Sequence, residues 1–150
     1  MNSLEGIFKE NENLIEADFS KLQLDNIVSM ANLFKSCINL TKVSFDNETP
    51  NLEDLSNMFY NCNKLKHVDL NFNTSKVIKM DYMFYGCSDL FLINVSNFKL
   101  ENVFDATFMF QDCFNLRAIY FNENTFLENL ENMNFMFYRC YSLRFIDTKI

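Results

Sequence analysis

The cysteines are the residues whose type best suits chemistry, yet their spacing argues against a reactive site. All five lie three residues after a recurring phenylalanine, about 25 residues apart: Cys37, Cys62, Cys87, Cys113 and Cys140. Thiolates that bind zinc usually come in pairs only a few residues apart. Thiols projecting in parallel from stacked coils approach each other at the wrong torsion angle for a disulfide. We therefore interpret these cysteines as buried structural residues, with a disulfide ladder or a metal site as the less favoured alternatives.

Histidine could supply acid–base chemistry, but the chain has a single histidine, His67. No second histidine accompanies it, and the carboxylates are scattered along the sequence. Catalysis needs a nucleophile, a base and charge-stabilising groups brought together. We therefore expect no enzyme activity, no catalytic residues, no cofactor and no metal. His67 is interpreted as a solvated residue at an outward strand position.

The phenylalanine that precedes each cysteine marks an internal repeat. Its copies are 26, 25, 25, 26 and 27 residues apart, namely Phe8, Phe34, Phe59, Phe84, Phe110 and Phe137. In the first copy Asn11 replaces the cysteine. Every copy carries a leucine six residues after the phenylalanine, at Leu14, Leu40, Leu65, Leu90, Leu116 and Leu143. Such a period is typical of a solenoid whose stacked coils share one core. We predict one domain, residues 1–150, of about six coils.

Each coil has two halves of different periodicity. After the leucine, apolar residues alternate with others, as Val43 and Phe45 do, and a period of two predicts a short strand. Before the phenylalanine, apolar residues recur as Val77, Met80 and Phe84 do, and this spacing predicts a short helix. The predicted fold is an α/β solenoid, a leucine-rich-repeat arc with a parallel sheet on its concave face and short helices on its convex face.

The composition narrows the classes of partner. The net charge is −7 and no lysine or arginine cluster stands out, which argues against nucleic acid. No apolar run is long enough to span a membrane, so we expect no transmembrane segment. Residues 1–12 carry acidic side chains and lack the apolar stretch of a signal peptide. A cytoplasmic location therefore stays open.

The chain resembles a known family of repeats. LSNMFYNCNKLKHVDLNFNTSKVIKM (Leu55 to Met80) and MDYMFYGCSDLFLINVSNF (Met80 to Phe98) resemble BspA-like leucine-rich repeats. These occur in surface lipoproteins of mycoplasmas, spirochaetes and other host-associated bacteria, and in surface proteins of some protists. The resemblance covers nearly the whole chain and is most specific in coils three to five. It implies a cell-surface or extracellular solenoid that displays a binding surface, often for a host or matrix protein.

The outward strand positions supply the candidate partner-binding residues. Positions two and four after each leucine are expected to point away from the core. They are charged or polar in the first three coils and more apolar in the last three. With two residues at the edge, the candidates are Phe91, Leu92, Arg117, Ala118, Tyr120 and Phe145. Apolar residues rimmed by charge are typical of protein-binding surfaces, although neighbouring structure could also cover them.

We therefore predict a non-catalytic, adhesion-type domain that binds a protein through its concave face. The alternative is an intracellular or secreted leucine-rich-repeat scaffold or effector. Solenoids need polar caps, and the sequence places apolar residues such as Leu4 and Ile146 in both terminal coils. We accordingly expect either a longer array or end-to-end self-association.

Overall fold

The residues that the structure describes form a solenoid with six short parallel strands, one in each coil. A computed structural model describes residues 2–121 and 130–147. The strands are β1 (Glu16–Asp18), β2 (Lys42–Asn47), β3 (His67–Phe72), β4 (Leu92–Val95), β5 (Ala118–Phe121) and β6 (Phe145–Asp147). Val43 pairs with Val68, and Ile93 pairs with Ile119, so equivalent residues of successive coils lie side by side. The predicted solenoid with parallel strands is confirmed, and six copies of the repeat make about five turns of it.

The strands form two sheets, where the sequence predicts one. Strands β1, β2 and β3 make the first sheet, and β4, β5 and β6 make the second. A separate line of single parallel bridges runs through all the coils without a break, joining Ser3, Ser29, Asp54, Lys79, Asp105 and Asn132. The coils therefore stay in register across the point where the strand ladder is interrupted.

The prediction of short helices is wrong: residues 2–121 and 130–147 contain no helix. The segment around each anchor phenylalanine is a series of tight turns. In the second coil, the Leu33 N–H donates to the Met30 carbonyl within its turn at 3.2 Å. The next N–H, that of Phe34, donates to the Met58 carbonyl of the following coil at 2.9 Å. Hydrogen bonds within a turn thus alternate with hydrogen bonds between coils.

Left-handed residues explain why no helix forms. Asn32 and Ser36, four positions apart, have φ angles of 58° and 61°. An α-helix cannot continue through a residue in this region. The buried residues Met30, Leu33 and Phe34 nevertheless keep the spacing expected of a helical face. Serial turns therefore produce the apolar spacing that predicted a helix.

The anchor phenylalanines form the centre of the core. Their rings stack from coil to coil with centroids 5.3–5.9 Å apart and nearly parallel planes. Phe34, Phe59, Phe84 and Phe110 have no solvent exposure, and neither do Leu40, Leu65, Leu90 and Leu116. Burying one such side chain stabilises the fold by about 1.5–3 kcal/mol. This stack accompanies the regular register of successive coils.

Candidate protein-binding surface

The cysteines are free thiols in the core. Cys37, Cys62, Cys87 and Cys113 are buried and Cys140 is partly buried. Each Sγ donates to the main-chain oxygen of the anchor phenylalanine one coil earlier, at 3.0–3.2 Å. Burial is the largest cause that raises the pKa of all five thiols. The thiols are therefore held protonated, which suits a structural contact between coils.

His67 begins β3 and is exposed beside its register partner Lys42. Lys42 in turn pairs with Glu16, so this outward column carries charge or an imidazole in its first three coils. In the described part of the chain, no group of three or more histidine, cysteine or acidic side chains is placed to hold a metal ion. This half of the strand face is a polar surface.

The same column becomes apolar in the second sheet. Leu92 pairs with Ala118, and Ala118 pairs with Phe145. Leu92 is 43% exposed and Phe145 is 49% exposed, while Ala118 between them is partly buried. Three residues that are far apart in the sequence thus form one exposed apolar row.

Aromatic contacts widen this row on one side. Tyr120 lies between Asn94 and Asp147 in the parallel register. Its ring centroid is 5.6 Å from that of Phe145, with the planes tilted by 54°. The aromatic area therefore extends from the apolar row into the neighbouring column, where polar side chains flank it.

Two arginines directly precede residues of this row in the sequence, Arg117 before Ala118 and Arg144 before Phe145. The Arg117 guanidinium carbon lies 4.8 Å from the centroid of the Phe91 ring, in a cation–π contact. The next residue in this column is the exposed Arg144, whose N–H donates to the Arg117 carbonyl at 3.1 Å. The register therefore aligns Leu92, Ala118 and Phe145, and ring contacts join Tyr120 to Phe145 and Arg117 to Phe91. Sequence reasoning missed Arg144, although it occupies the same repeat position as Arg117. We call these residues the strand surface: Phe91, Leu92, Arg117, Ala118, Tyr120, Arg144 and Phe145.

A polar cleft of about 370 Å³ lies where the two sheets separate, and Asp46, Glu48, Asn71 and Lys99 are among its lining residues. Many of the surrounding polar groups bond to one another. The Asn71 amide donates to Asp46, and the Lys99 N–H donates to the buried Thr74 hydroxyl at 2.7 Å. Part of the polar lining of the cleft is therefore already hydrogen-bonded within the chain.

A second aromatic cluster lies on the turns and was missed by sequence reasoning. It consists of Tyr60, Tyr82, Tyr85, Phe108, Phe135 and Tyr138, which we call the turn ladder. Its rings are close neighbours, with centroids 4.7–6.1 Å apart. The signal was the recurrence of aromatic residues two positions before the anchor phenylalanine in coils four to six.

Comparison with known proteins identifies a family without an assigned activity. The family described as "Mycoplasma protein of unknown function, DUF285" matches residues 2–122 and 43–146. No curated protein gives a significant match. The described residues include no helix that is long and apolar enough to cross a membrane.

Proposed function

We propose that this chain, which belongs to the family of Mycoplasma proteins of unknown function DUF285, is a non-catalytic repeat domain that binds another protein through its strand surface. The supporting observation is the parallel register from β4 to β6. It places Leu92, Ala118 and Phe145 in one exposed row, although about 26 residues separate each from the next.

The chemistry of the strand surface suits a protein partner. Tyrosine and arginine are among the residues most enriched at the energetic centres of protein interfaces. Here Tyr120 and Arg117 flank the apolar row, and each already packs against an aromatic ring. The tyrosine ring and the arginine guanidinium can both cover apolar area. The tyrosine hydroxyl and the arginine N–H groups can still form hydrogen bonds at the edge of a contact.

The arrangement of the charges also supports this proposal. The first sheet presents Glu16, Lys42 and His67 beside the apolar half. Protein-binding surfaces commonly combine an apolar centre with a polar rim. A partner centred on Phe145 and Leu92 would therefore meet polar groups at one side, which favours a specific orientation.

Peptide selection tests the proposal without knowledge of the natural partner. A phage-displayed random peptide library is panned against the immobilised wild-type chain, and the enriched peptides are then measured by titration. In the test variant, Tyr120→Ser and Phe145→Ser remove exposed aromatic area without creating a core cavity. In the control variant, Lys64→Ser removes an exposed side chain away from the strand surface.

We expect the wild-type chain to enrich peptides. These peptides should bind the Tyr120/Phe145 variant at least about tenfold more weakly, a loss of about 1.4 kcal/mol. The Lys64 variant should bind them as the wild type does. Failure to enrich any peptide, or unchanged affinity in the Tyr120/Phe145 variant, would count against the strand surface. The BspA-like assignment, the surface location, the host or matrix partner and the scaffold or effector alternative stay predictions from the sequence.

Self-association through the sixth coil is a second proposal, supported by its exposed apolar residues. Met133 is 48% exposed, Phe135 58% and Tyr141 75%. Exposed apolar and aromatic side chains favour contact with another apolar surface. Sedimentation velocity over a wide concentration range should show a dimer that Tyr141→Ser weakens. A monomer at every concentration would contradict this proposal.

A further inference from the structure

The turn ladder is a continuous aromatic surface separate from the strand surface. Tyr82 stacks on Phe108 with centroids 4.8 Å apart, and Phe108 stacks on Phe135 at 5.2 Å. Beside this line, the nearly parallel rings of Tyr60 and Tyr85 form another stacked pair, with centroids 4.7 Å apart. These side chains are partly or fully exposed, and Phe135 reaches 58%. The ladder therefore presents aromatic area to solvent along four coils.

The backbone beneath the ladder is one that bulky residues rarely adopt. Tyr82, Phe108 and Phe135 have φ angles of 55°, 57° and 56°. The first three coils place Gly6, Asn32 and Asn57 at the same repeat position. Glycine and asparagine enter this left-handed region most easily, whereas an aromatic residue there is unusual. Three successive aromatic residues thus occupy this position although smaller residues fit it better.

Carboxylates lie close to the ladder. Asp81 precedes Tyr82, and Asp105 occurs one coil later, on the line of single bridges that also includes Asp54. Burial and then the negative charge of Asp105 raise the pKa of Asp81, while the Lys79 charge opposes this shift. The same neighbourhood therefore holds several acidic groups beside aromatic rings. Both features favour a cation, because aromatic faces and carboxylates attract positive charge.

The chain already binds its own cations with aromatic rings, and one of these rings, Tyr60, belongs to the ladder. The Lys35 ammonium lies 4.7 Å from the centroid of the Tyr60 ring. The Arg139 guanidinium carbon lies 5.1 Å from that of Phe114 and forms an ion pair with Asp112 at 3.1 Å. Within the residues that the structure describes, no lysine or arginine forms such a contact with Tyr82.

We propose that the turn ladder is a second docking surface, which binds a protein segment with exposed arginine or lysine side chains. Cationic side chains would lie against Tyr82 and Phe108, with the neighbouring carboxylates supplying the opposite charge. This occupant agrees with the net charge of −7, which disfavours polyanionic partners such as nucleic acid or an anionic membrane.

A matched pair of synthetic peptides tests this proposal with the intact chain. One peptide has alternating glycine and arginine, and the other has citrulline in place of each arginine, which removes the charge. Binding is followed by amide chemical shifts at physiological salt, where screening weakens non-specific attraction. We expect at least tenfold tighter binding of the arginine peptide and shift changes around Tyr82 and Phe108.

The test variant carries Tyr82→Asn and Phe108→Asn, because asparagine already adopts this backbone in coils two and three. It should lose at least tenfold in affinity for the arginine peptide, whereas Tyr120→Ser on the strand surface should lose none. A second variant, Asp81→Asn with Asp105→Asn, keeps the rings and should also weaken binding severalfold. It keeps the proposal testable if the first variant does not fold.

The proposal is overturned by equal binding of the two peptides, by shift changes on the strand surface, or by unchanged affinity in folded variants of both kinds. Such a result would leave the strand-surface proposal intact, because Tyr120→Ser and Phe145→Ser test that surface separately. If the peptides selected by panning lose affinity only in the Tyr120→Ser and Phe145→Ser variants, docking is confined to the strand surface.

Discussion

The Cys62 thiol donates a hydrogen bond to the main-chain oxygen of Phe34, 28 residues earlier in the chain, across 3.1 Å. The same oxygen accepts the N–H of Cys37 at 3.0 Å, within its own coil. One carbonyl therefore holds a turn together and also joins that turn to the next coil. This arrangement explains why a cysteine recurs at one position of the repeat.

Cys62→Ala should destabilise the fold by about 2 kcal/mol. The substitution leaves a small cavity in a fully buried site and removes the thiol donor, although the Phe34 carbonyl keeps its bond from Cys37. Urea unfolding measures the change. The matched control is Cys140→Ala, which should cost about half as much because Cys140 is only partly buried. Equal stability of Cys62→Ala and wild type would contradict a structural role for the thiol.

The protein should lose stability as the pH rises above about 9. Burial raises the pKa of Cys140 from 9.0 to about 11, and it raises those of Cys62, Cys87 and Cys113 further. A raised pKa means that the folded chain retains protons that the unfolded chain has released. The stability that these retained protons contribute is therefore complete when the pH is below the thiol pKa of the unfolded chain. It decreases as the pH rises through the thiol pKa values of the folded chain.

Urea unfolding at about pH 8 and at about pH 11 measures this loss. Cys140→Ser should make the decline between these values shallower, because it removes one of the thiols whose pKa burial raises. A stability that stays constant up to about pH 11 would show that the thiols are not buried in the folded chain.

Gly86→Ala should destabilise the fold more than Gly6→Ala. Both glycines have positive φ angles, of +71° and +63°. A Cβ at Gly86 would clash with the Asn61 side-chain oxygen, whereas the nearest atom at Gly6, on Lys9, is 4.0 Å away. We expect a loss of about 1 kcal/mol at Gly6 from backbone strain alone and about 2 kcal/mol at Gly86.

Thermal or urea unfolding of both variants checks this difference. Repeating Gly86→Ala in an Asn61→Ala background should recover part of its loss, because the opposing oxygen is gone. Equal losses of stability at the two glycines, with no recovery in the double variant, would mean that the Asn61 side-chain oxygen does not lie close to Gly86 in solution.

The sequence predicted the coils because their inward residues are dictated by burial. Phe59, Cys62 and Leu65 recur in register, and the structure buries all three completely. The turns were mistaken for helices because serial turns place apolar residues at the same spacing as a helical face. The available signal was the recurrence of Asn32 and Asn57 at one position, since asparagine tolerates left-handed backbone.

Strand alternation places Leu92 and Phe145 at outward positions, and the sequence therefore predicts both as surface residues. The contact between the Arg117 guanidinium and the Phe91 ring depends on side-chain conformation, which periodicity does not specify. The interruption between the two sheets was also beyond prediction. Strand alternation specifies which residues point inward, and it does not specify where the pairing of neighbouring strands stops.

Nuclear Overhauser effects in a uniformly labelled sample test most directly whether successive coils lie in register and create the strand surface. The account predicts contacts from Ala118 to both Leu92 and Phe145, and none of the regular helical contacts through Met30 to Cys37. Helical contacts in that segment, together with no contact between Ala118 and either neighbour, would contradict both the solenoid and its binding surface.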